Sequence, residues 1–309
     1  MTELIRTLAF KTGMPEGRIR TIIRSAPERY KIFYVDKKSG RGKREIAQPA
    51  RELKFIQRET LSIYAERLPL HDACIAYRAG LSIRDNALIH CGHSPIMKMD
   101  FKDFFPSITA QDWRQYFLEM QLGSDEELSL TTRIFFMRPK GGRLLRLAIG
   151  APSSPTISNA LLYKFDDLVS SKCKSEKIRY SRYADDLTFS APRTGYLNSV
   201  EAIVRDTLRE ILYPKIAINP SKTNLVTTRY GRRVTGLTLA NDGRVTIGRE
   251  RKRLIRAMLH RFMTTEFSDS EEKYLAGLLA FAKSSEPDYY YSMLNKYGSF
   301  IRNITMRNR

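Results

Sequence analysis

The sequence predicts a mixed α+β fold built as one continuous body. Three observations carry that expectation. Amphipathic helical runs alternate with short strand-like runs, the strand runs pair across turn residues, and no repeat, low-complexity tract or Pro/Gly-rich linker divides the 309 residues. A chain of this length can bury a substantial core, as one large domain or as two to three tightly joined subdomains.

In chain order, residues 15–25 read as a helix, with Pro15 in the first turn where its missing N–H is harmless. Tyr30-Lys-Ile-Phe-Tyr-Val35 is β-branched and aromatic, and Lys37–Lys43 turns it back into Arg44-Glu-Ile-Ala47, a hairpin with a basic tip. Residues 51–68 are helical, because Leu53, Phe55, Ile56, Leu61, Ile63, Tyr64 and Leu68 recur mostly at three- and four-residue intervals. A short helix begins near Ser82. Pro95–Phe101 reads as a buried strand ending at Asp100, and Thr109-Ala-Gln-Asp112 as an N-cap leading into Trp113, Tyr116 and Phe117. Leu144–Ile149 suggests another strand. Gly150-Ala-Pro-Ser-Ser-Pro155 is a turn, since two prolines deny donors to a sheet, and a helix resumes at Ile157. Residues 178–183 and 187–191 form a hairpin with Ala184-Asp185-Asp186 at its tip. Asn241-Asp242-Gly243 joins Thr235–Ala240 to Val245–Ile247, and the last sixty residues read as mostly helical.

Composition narrows the partners. Lys plus Arg number 53 against 33 Asp plus Glu, and the resulting charge of +20 exceeds what solubility requires and favours nucleic acid. No run approaches the roughly 20 apolar residues that span a bilayer, and the charged N-terminal run is unlike a signal peptide, so the expected address is cytoplasmic with no membrane partner. Cys74, Cys91 and Cys173 are widely spaced without a Cys-x-x-Cys pair, which indicates neither a disulfide framework nor a zinc ribbon. His90, Cys91 and His93 lack a fourth ligand at familiar spacing.

Two acid pairs stand out. Asp166-Asp167 lies in a helical pattern and reads as a surface or capping pair. Asp185-Asp186 sits at the tip of an apolar hairpin, where two like charges are costly unless a cation compensates them, and magnesium with its hard oxygen ligands suits that task. Asp100 ends a separate strand. Packing it beside the hairpin gathers three acids at one sheet edge, a two-metal phosphoryl-transfer arrangement.

These residues also carry a family resemblance. Tyr183-Ala-Asp-Asp186 resembles the signature of reverse transcriptases, and Met99-Asp-Phe-Lys-Asp-Phe-Phe-Pro-Ser-Ile108 resembles their first catalytic motif. A given Tyr-Ala-Asp-Asp tetrapeptide arises by chance in roughly two of a thousand chains of this length. Gly150–Pro155 lies between the two motifs, as the family's nucleotide- and template-positioning loop does, although Ile149 replaces the usual Gln before it and cannot supply a side-chain hydrogen bond. Asn86-Ala-Leu-Ile-His90 and Val234-Thr-Gly236 match motifs that distinguish retron reverse transcriptases.

The resemblance implies a right-hand polymerase fold with fingers, a palm of antiparallel sheet with packed helices, and a helical thumb. The expected divisions are N-terminal helices and fingers over 1–95, palm with part of the fingers over 96–230, and palm-thumb junction and basic thumb over 231–309. It implies an RNA-directed DNA polymerase in which Asp100, Asp185 and Asp186 hold two Mg²⁺ ions and Lys222 lies near the leaving pyrophosphate. Lys43 and Arg44 are the expected triphosphate contacts, Phe105 the steric gate against ribonucleotides, with Phe104 as its anchor. Asn86, His90, Val234, Thr235 and Gly236 are assigned to RNA placement. Arg249, Arg253 and Arg256 are expected to project toward phosphates from a thumb helix whose Leu254, Ile255, Met258 and Leu259 face the core. The implied partners are a structured non-coding RNA serving as template and primer, deoxynucleoside triphosphates, the branched RNA–DNA product primed from a guanosine 2′-hydroxyl, and a retron effector protein, with a role in phage defence. The rival readings are a group II intron maturase, against which the short region after the thumb argues, and a non-catalytic RNA scaffold.

Overall fold

The computed structural model describes residues 3–37, 42–229, 231–265 and 267–307. Its first helix, α1 (Glu3–Thr12), is absent from the sequence reading because its charges obscure a short apolar stripe, yet Leu4, Ile5 and Leu8 are buried. A helix this short is marginal alone, so packing stabilises it. α2 (Glu16–Arg24) buries Ile19, Ile22 and Ile23. β1 (Tyr30–Asp36) and β2 (Lys43–Pro49) pair antiparallel from Tyr30 opposite Pro49 to Asp36 opposite Lys43. The tip of this hairpin, residues 38–41, lies outside the described residues. α3 (Arg51–Tyr64) stops short of the expected 68 and ends in a 3₁₀ turn, Ala65–Arg67. A capping box of Ser82 and Asp85 opens α4 (Ile83–Ile89).

The central sheet positions the acids. β3 (Ile96–Asp100) leads into α5 (Phe104–Ser107), α6 (Ala110–Glu119), which starts on the Thr109/Asp112 capping box, and α7 (Asp125–Phe135). α8 (Ser154–Leu161) and α9 (Tyr163–Ser175) precede the hairpin β4 (Arg179–Tyr183) and β5 (Asp186–Ser190); α10 (Val200–Glu210) and β6 (Asn224–Val226) follow. The sheet order is β4-β5-β3-β6, every pairing antiparallel. Residues 144–149 form no ladder strand. Arg146 makes isolated bridges with Thr109 and Met137, and Ile149 accepts from the Ala47 N–H, so this segment meets several neighbours in turn and runs alongside none.

One core gathers α1 to α3, the buried faces of α6 and α7, and the apolar side of the sheet, including Met97, Met99, Trp113, Phe165, Leu187 and Phe189. A second core joins the small sheet β7 (Arg233–Val234), β8 (Leu237–Leu239) and β9 (Val245–Thr246) to α11 (Arg249–Thr264), α12 (Asp269–Ser285) and α13 (Pro287–Arg307). Its members include Val234, Leu239, Ile255, Leu259, Leu279 and Ile301, and Ala87 and Ile96 tie it to α4 and β3. On α11 the expected apolar stripe is narrower than its sequence pattern. Ile255 and Leu259 are buried and Met258 packs partly, but Leu254 is exposed. Among the described residues no helix is long and apolar enough to cross a membrane.

Candidate active site

Strand register brings the acids together. Asp100 and Asp186 are direct partners at the end of the β3–β5 ladder, and the Phe101 N–H donates to the Asp185 carbonyl at 3.0 Å. On the other edge of β3, the Asn219 N–H donates to the Asp100 carbonyl at 2.7 Å, which delivers the turn Pro220–Lys222 to the same place. The Lys222 Nζ then donates to both Asp100 carboxylate oxygens at 2.8 Å. The hairpin tip is tighter than the sequence pattern suggested, because Asp186 already belongs to β5 and only Ala184 and Asp185 turn.

The electrostatics fit a cation site. Burial first, and the neighbouring Asp100 charge second, raise the Asp185 carboxyl above its ordinary range. Burial, then the Asp185 charge, pushes the Asp186 carboxyl up to about 6. Lys222 and Arg44 act on Asp185 in the opposite sense, so the β1–β2 hairpin brings Arg44 within electrostatic reach of the acids. Among the described residues, no three His, Cys, Asp or Glu side chains converge on one point. Asp100 gives its oxygens to Lys222 instead. The donor chemistry, three carboxylates at one buried sheet end with excess negative charge, nonetheless suits a hard divalent cation.

The neighbouring residues divide into surface and core. Lys43 and Arg44 are exposed on β2. Phe104 is buried and stacked on Phe101 at 5.7 Å between ring centroids, whereas Phe105 is half-buried and 5.0 Å from Phe104. Gly150 has φ +114°, and a Cβ there would sit 3.1 Å from the Ala47 carbonyl, so the Gly150–Pro155 loop and the β1–β2 hairpin meet backbone to backbone. Arg249, Arg253 and Arg256 are all exposed on α11.

Two residues assigned to direct RNA contact are core residues. Asn86 and His90 are 0% exposed. His90 Nε2 lies 2.8 Å from Ser181 Oγ and Nδ1 2.8 Å from Ser190 Oγ, while Ser181 Oγ donates to Asn86 Oδ1 at 2.7 Å. Because the Ser181 proton goes to Asn86, the His90 Nε2–H donates to Ser181 and Nδ1 accepts from Ser190. Burial lowers the His90 imidazole to about 3, which keeps it neutral for this relay. The pair therefore binds α4 to the β4–β5 hairpin. Val234 is likewise buried, so its side chain is unavailable to RNA. Thr235 and Gly236, both at positive φ (46° and 82°), form the two-residue turn between β7 and β8. This mirror-image turn matches strand twist, and Thr235 Oγ1 steadies it by donating to the Ile83 carbonyl at 2.9 Å.

Asp166 also departs from its surface reading. It is fully buried beneath the hairpin, with Arg182 Nη2 2.6 Å from its Oδ2, while its neighbour Asp167 faces solvent. The signal was present in the sequence. Leu162, Phe165, Asp166, Val169 and Cys173 share one stripe at helical spacing, and Arg182 interrupts an apolar strand.

Comparison with known proteins agrees with this geometry. The family described as reverse transcriptase (RNA-dependent DNA polymerase) matches residues 35–239. Retron Ec83 reverse transcriptase of Escherichia coli is 37% identical over 289 residues, covering 92% of each chain. Retron Ec73 and Ec86 reverse transcriptases of the same organism are 32% and 33% identical, covering 94% and 91% of this chain and 94% and 86% of theirs. A telomerase structure from Candida albicans, in complex with a fragment of telomeric RNA, aligns over 90% of this chain and 60% of its own with 14% identity and a TM-score of 0.46. The acids at the end of β3 and β5, the family match across about two thirds of the sequence and the near full-length relatives lead to one assignment: this chain belongs to the retron reverse transcriptases, RNA-directed DNA polymerases.

Proposed function

We propose that this enzyme copies part of a dedicated structured non-coding RNA into DNA by two-metal nucleotidyl transfer, using that RNA as both template and primer. The observation that carries the reading is the register of Asp100 opposite Asp186 with Asp185 beside them. These three carboxylates would hold two Mg²⁺ ions, which when bound supply activation of the attacking hydroxyl and neutralisation of the triphosphate. The chain's own residues position the rest. Arg44, with Lys43 beside it, reaches the triphosphate from β2; Lys222 leaves Asp100 to neutralise the departing pyrophosphate; and Phe105 closes the space that a ribose 2′-hydroxyl requires. The Thr235–Gly236 turn, exposed at Gly236 and half-buried at Thr235, and the arginines of α11 contact RNA, while Asn86 and His90 support that surface from beneath.

On this reading, priming from a guanosine 2′-hydroxyl yields a branched RNA–DNA product in the cytoplasm, and with an effector protein the enzyme serves phage defence. The subdomains divide as N-terminal helices and fingers over 1–95, palm with part of the fingers over 96–230 and palm-thumb junction with thumb over 231–309; the second core, which gathers β7–β9 with α11–α13, supports the last boundary alone. Two measurements test the proposal. Asp185→Asn should abolish Mg²⁺-dependent incorporation of deoxynucleotides on an RNA template while retaining RNA binding, and the RNA copurifying with the wild type should carry a branched DNA. Normal extension by the variant defeats the site assignment, whereas an unbranched or heterogeneous RNA defeats the retron-specific product.

A further inference from the structure

The turn that carries Asp185 is held from behind by a buried ion pair. Arg182 and Asp166 are both 0% exposed, and Asn159 is 1% exposed. The guanidinium forms a fork on Asp166, with Nε 2.9 Å from Oδ1 and Nη2 2.6 Å from Oδ2. Tyr180 Oη donates to Asp166 Oδ1 at 2.7 Å. The remaining terminal nitrogen, Nη1, donates to Asn159 Oδ1 at 3.1 Å and to the Ala184 carbonyl at 3.2 Å.

That last bond reaches the catalytic turn itself. The Ala184 carbonyl and the Asp185 N–H belong to one planar peptide group, so fixing the carbonyl fixes the plane from which Asp185 departs. The plane after Asp185 is fixed separately, by the Phe101 N–H on the Asp185 carbonyl at 3.0 Å. Between these two anchors Asp185 has little backbone freedom left. The anchoring is needed because Ala184 adopts φ +58°, a left-handed conformation that a residue with a Cβ leaves unless its surroundings hold it. Backbone contacts add to the clamp, since the Arg182 N–H donates to the Ala73 carbonyl at 2.7 Å and the Arg182 carbonyl accepts from Ile75 at 2.9 Å. Asn159 extends it to α8, the helix that continues the Gly150–Pro155 loop, and donates in turn to the Ala76 carbonyl at 3.1 Å.

We infer that Arg182, oriented by Asp166 and Asn159, is a positioning residue that sets Asp185 through the Ala184–Asp185 peptide and links its placement to the nucleotide loop. A buried ion pair is weak evidence for stability, because well-packed apolar replacements often fold as well or better. Its geometry here serves orientation: only a planar fork can hold a carboxylate with one edge while donating to a carbonyl from the other.

The inference rests on Asp185 being a catalytic carboxylate, so Asp185→Asn is measured alongside. The main variant is Arg182→Met with Asp166→Leu, which removes both charges together and avoids stranding either; Arg182→Lys, which keeps the charge and loses the fork, covers failure of the double variant to fold. Thermal melting and RNA binding establish that each variant is folded. Extension on an annealed primer separates kcat from KM, and Mn²⁺ titration followed by electron paramagnetic resonance, without nucleotide, reads the acid site independently of turnover. The expected result is a kcat about 10- to 100-fold lower with little change in KM, together with weaker Mn²⁺ binding. Wild-type kcat and Mn²⁺ affinity in a folded clamp variant, beside an inactive Asp185→Asn, would overturn the positioning role alone. Activity in Asp185→Asn would overturn the site reading and the positioning role with it.

Discussion

Phe105 shows how one side chain acquires two neighbours with different duties. Phe104 is committed to the core by stacking on Phe101, which leaves Phe105 half-buried against it, five residues beyond Asp100. Phe105→Ala should therefore raise ribonucleotide use relative to deoxynucleotide use by about 10-fold or more, without unfolding the enzyme. Competition assays on a primed RNA template check this, and an unchanged ratio with intact catalysis points to another gate. His90 gives a stability prediction of known sign. Burial holds its imidazole down at about 3, so below the ordinary value of 6.5 the unfolded chain takes up a proton that the native chain refuses. Arg179 and His93 press it the same way. Stability is thus fully kept above about pH 6.5 and falls as the pH drops, by about 2 kcal/mol between pH 7 and 5 from this residue. Urea unfolding of His90→Gln against wild type should show a flatter acid limb in the variant. That Asp100, Asp185 and Asp186 meet at one sheet end was legible in the sequence, because strand ends and a tight hairpin can be read locally; Lys222 joins them from the turn after Asn219. Asp166 was legible only through the apolar stripe it shares, and His90 not at all, because a single sequence reports a polar residue without saying whether its partner lies in solvent or on a strand far along the chain.

Most elements with local signals were legible, although Thr235 and Gly236, read as the start of a strand, form the turn before β8; those defined by distant partners were not. Capping boxes at Ser82 and Thr109, the β4–β5 hairpin and the Asn241–Gly243 turn all announce themselves within a few residues. Residues 144–149 have strand composition but no strand to pair with, and α1 has too weak an apolar stripe to stand out from its charges. Glycines separate local from tertiary demands in a measurable way. Gly236, at φ +82°, has open space where a Cβ would go, so Gly236→Ala costs backbone strain only, about 1 kcal/mol. Gly150 adds a 3.1 Å approach to the Ala47 carbonyl, so Gly150→Ala costs about 2 kcal/mol or more and displaces the hairpin that carries Arg44. Denaturant titration ranks the two. A larger KM for nucleotide in Gly150→Ala than in Gly236→Ala is expected, and equal values would show that the loop does not set the hairpin.

The whole molecule must hold a long polyanion while three acids sit at its centre, and its charge of +20 reconciles these demands. Arg249, Arg253 and Arg256 lie on the exposed side of α11, whose buried Ile255 and Leu259 fix the helix on the second core. None of the three touches the acids, so their contribution should be to grip. Phosphate contacts release counterions, and each one lost lowers the slope of log affinity against log salt by about 0.7 to 0.9. Replacing all three with Gln should therefore weaken RNA binding at physiological salt and lower that slope by about 2, while melting stays close to wild type because no buried group is removed. A second readout separates general grip from selection. If α11 only holds phosphates, initiation on the cognate RNA and extension of a generic annealed primer should fall together. Changing the Thr235–Gly236 turn, as in Thr235→Ala, should instead reduce initiation on the cognate RNA more than generic extension, because its shape rather than its charge would contact RNA. Equal losses in the turn variant would assign it to folding of the β7–β9 sheet, and an unchanged salt slope in the triple variant would move the RNA path off α11 altogether.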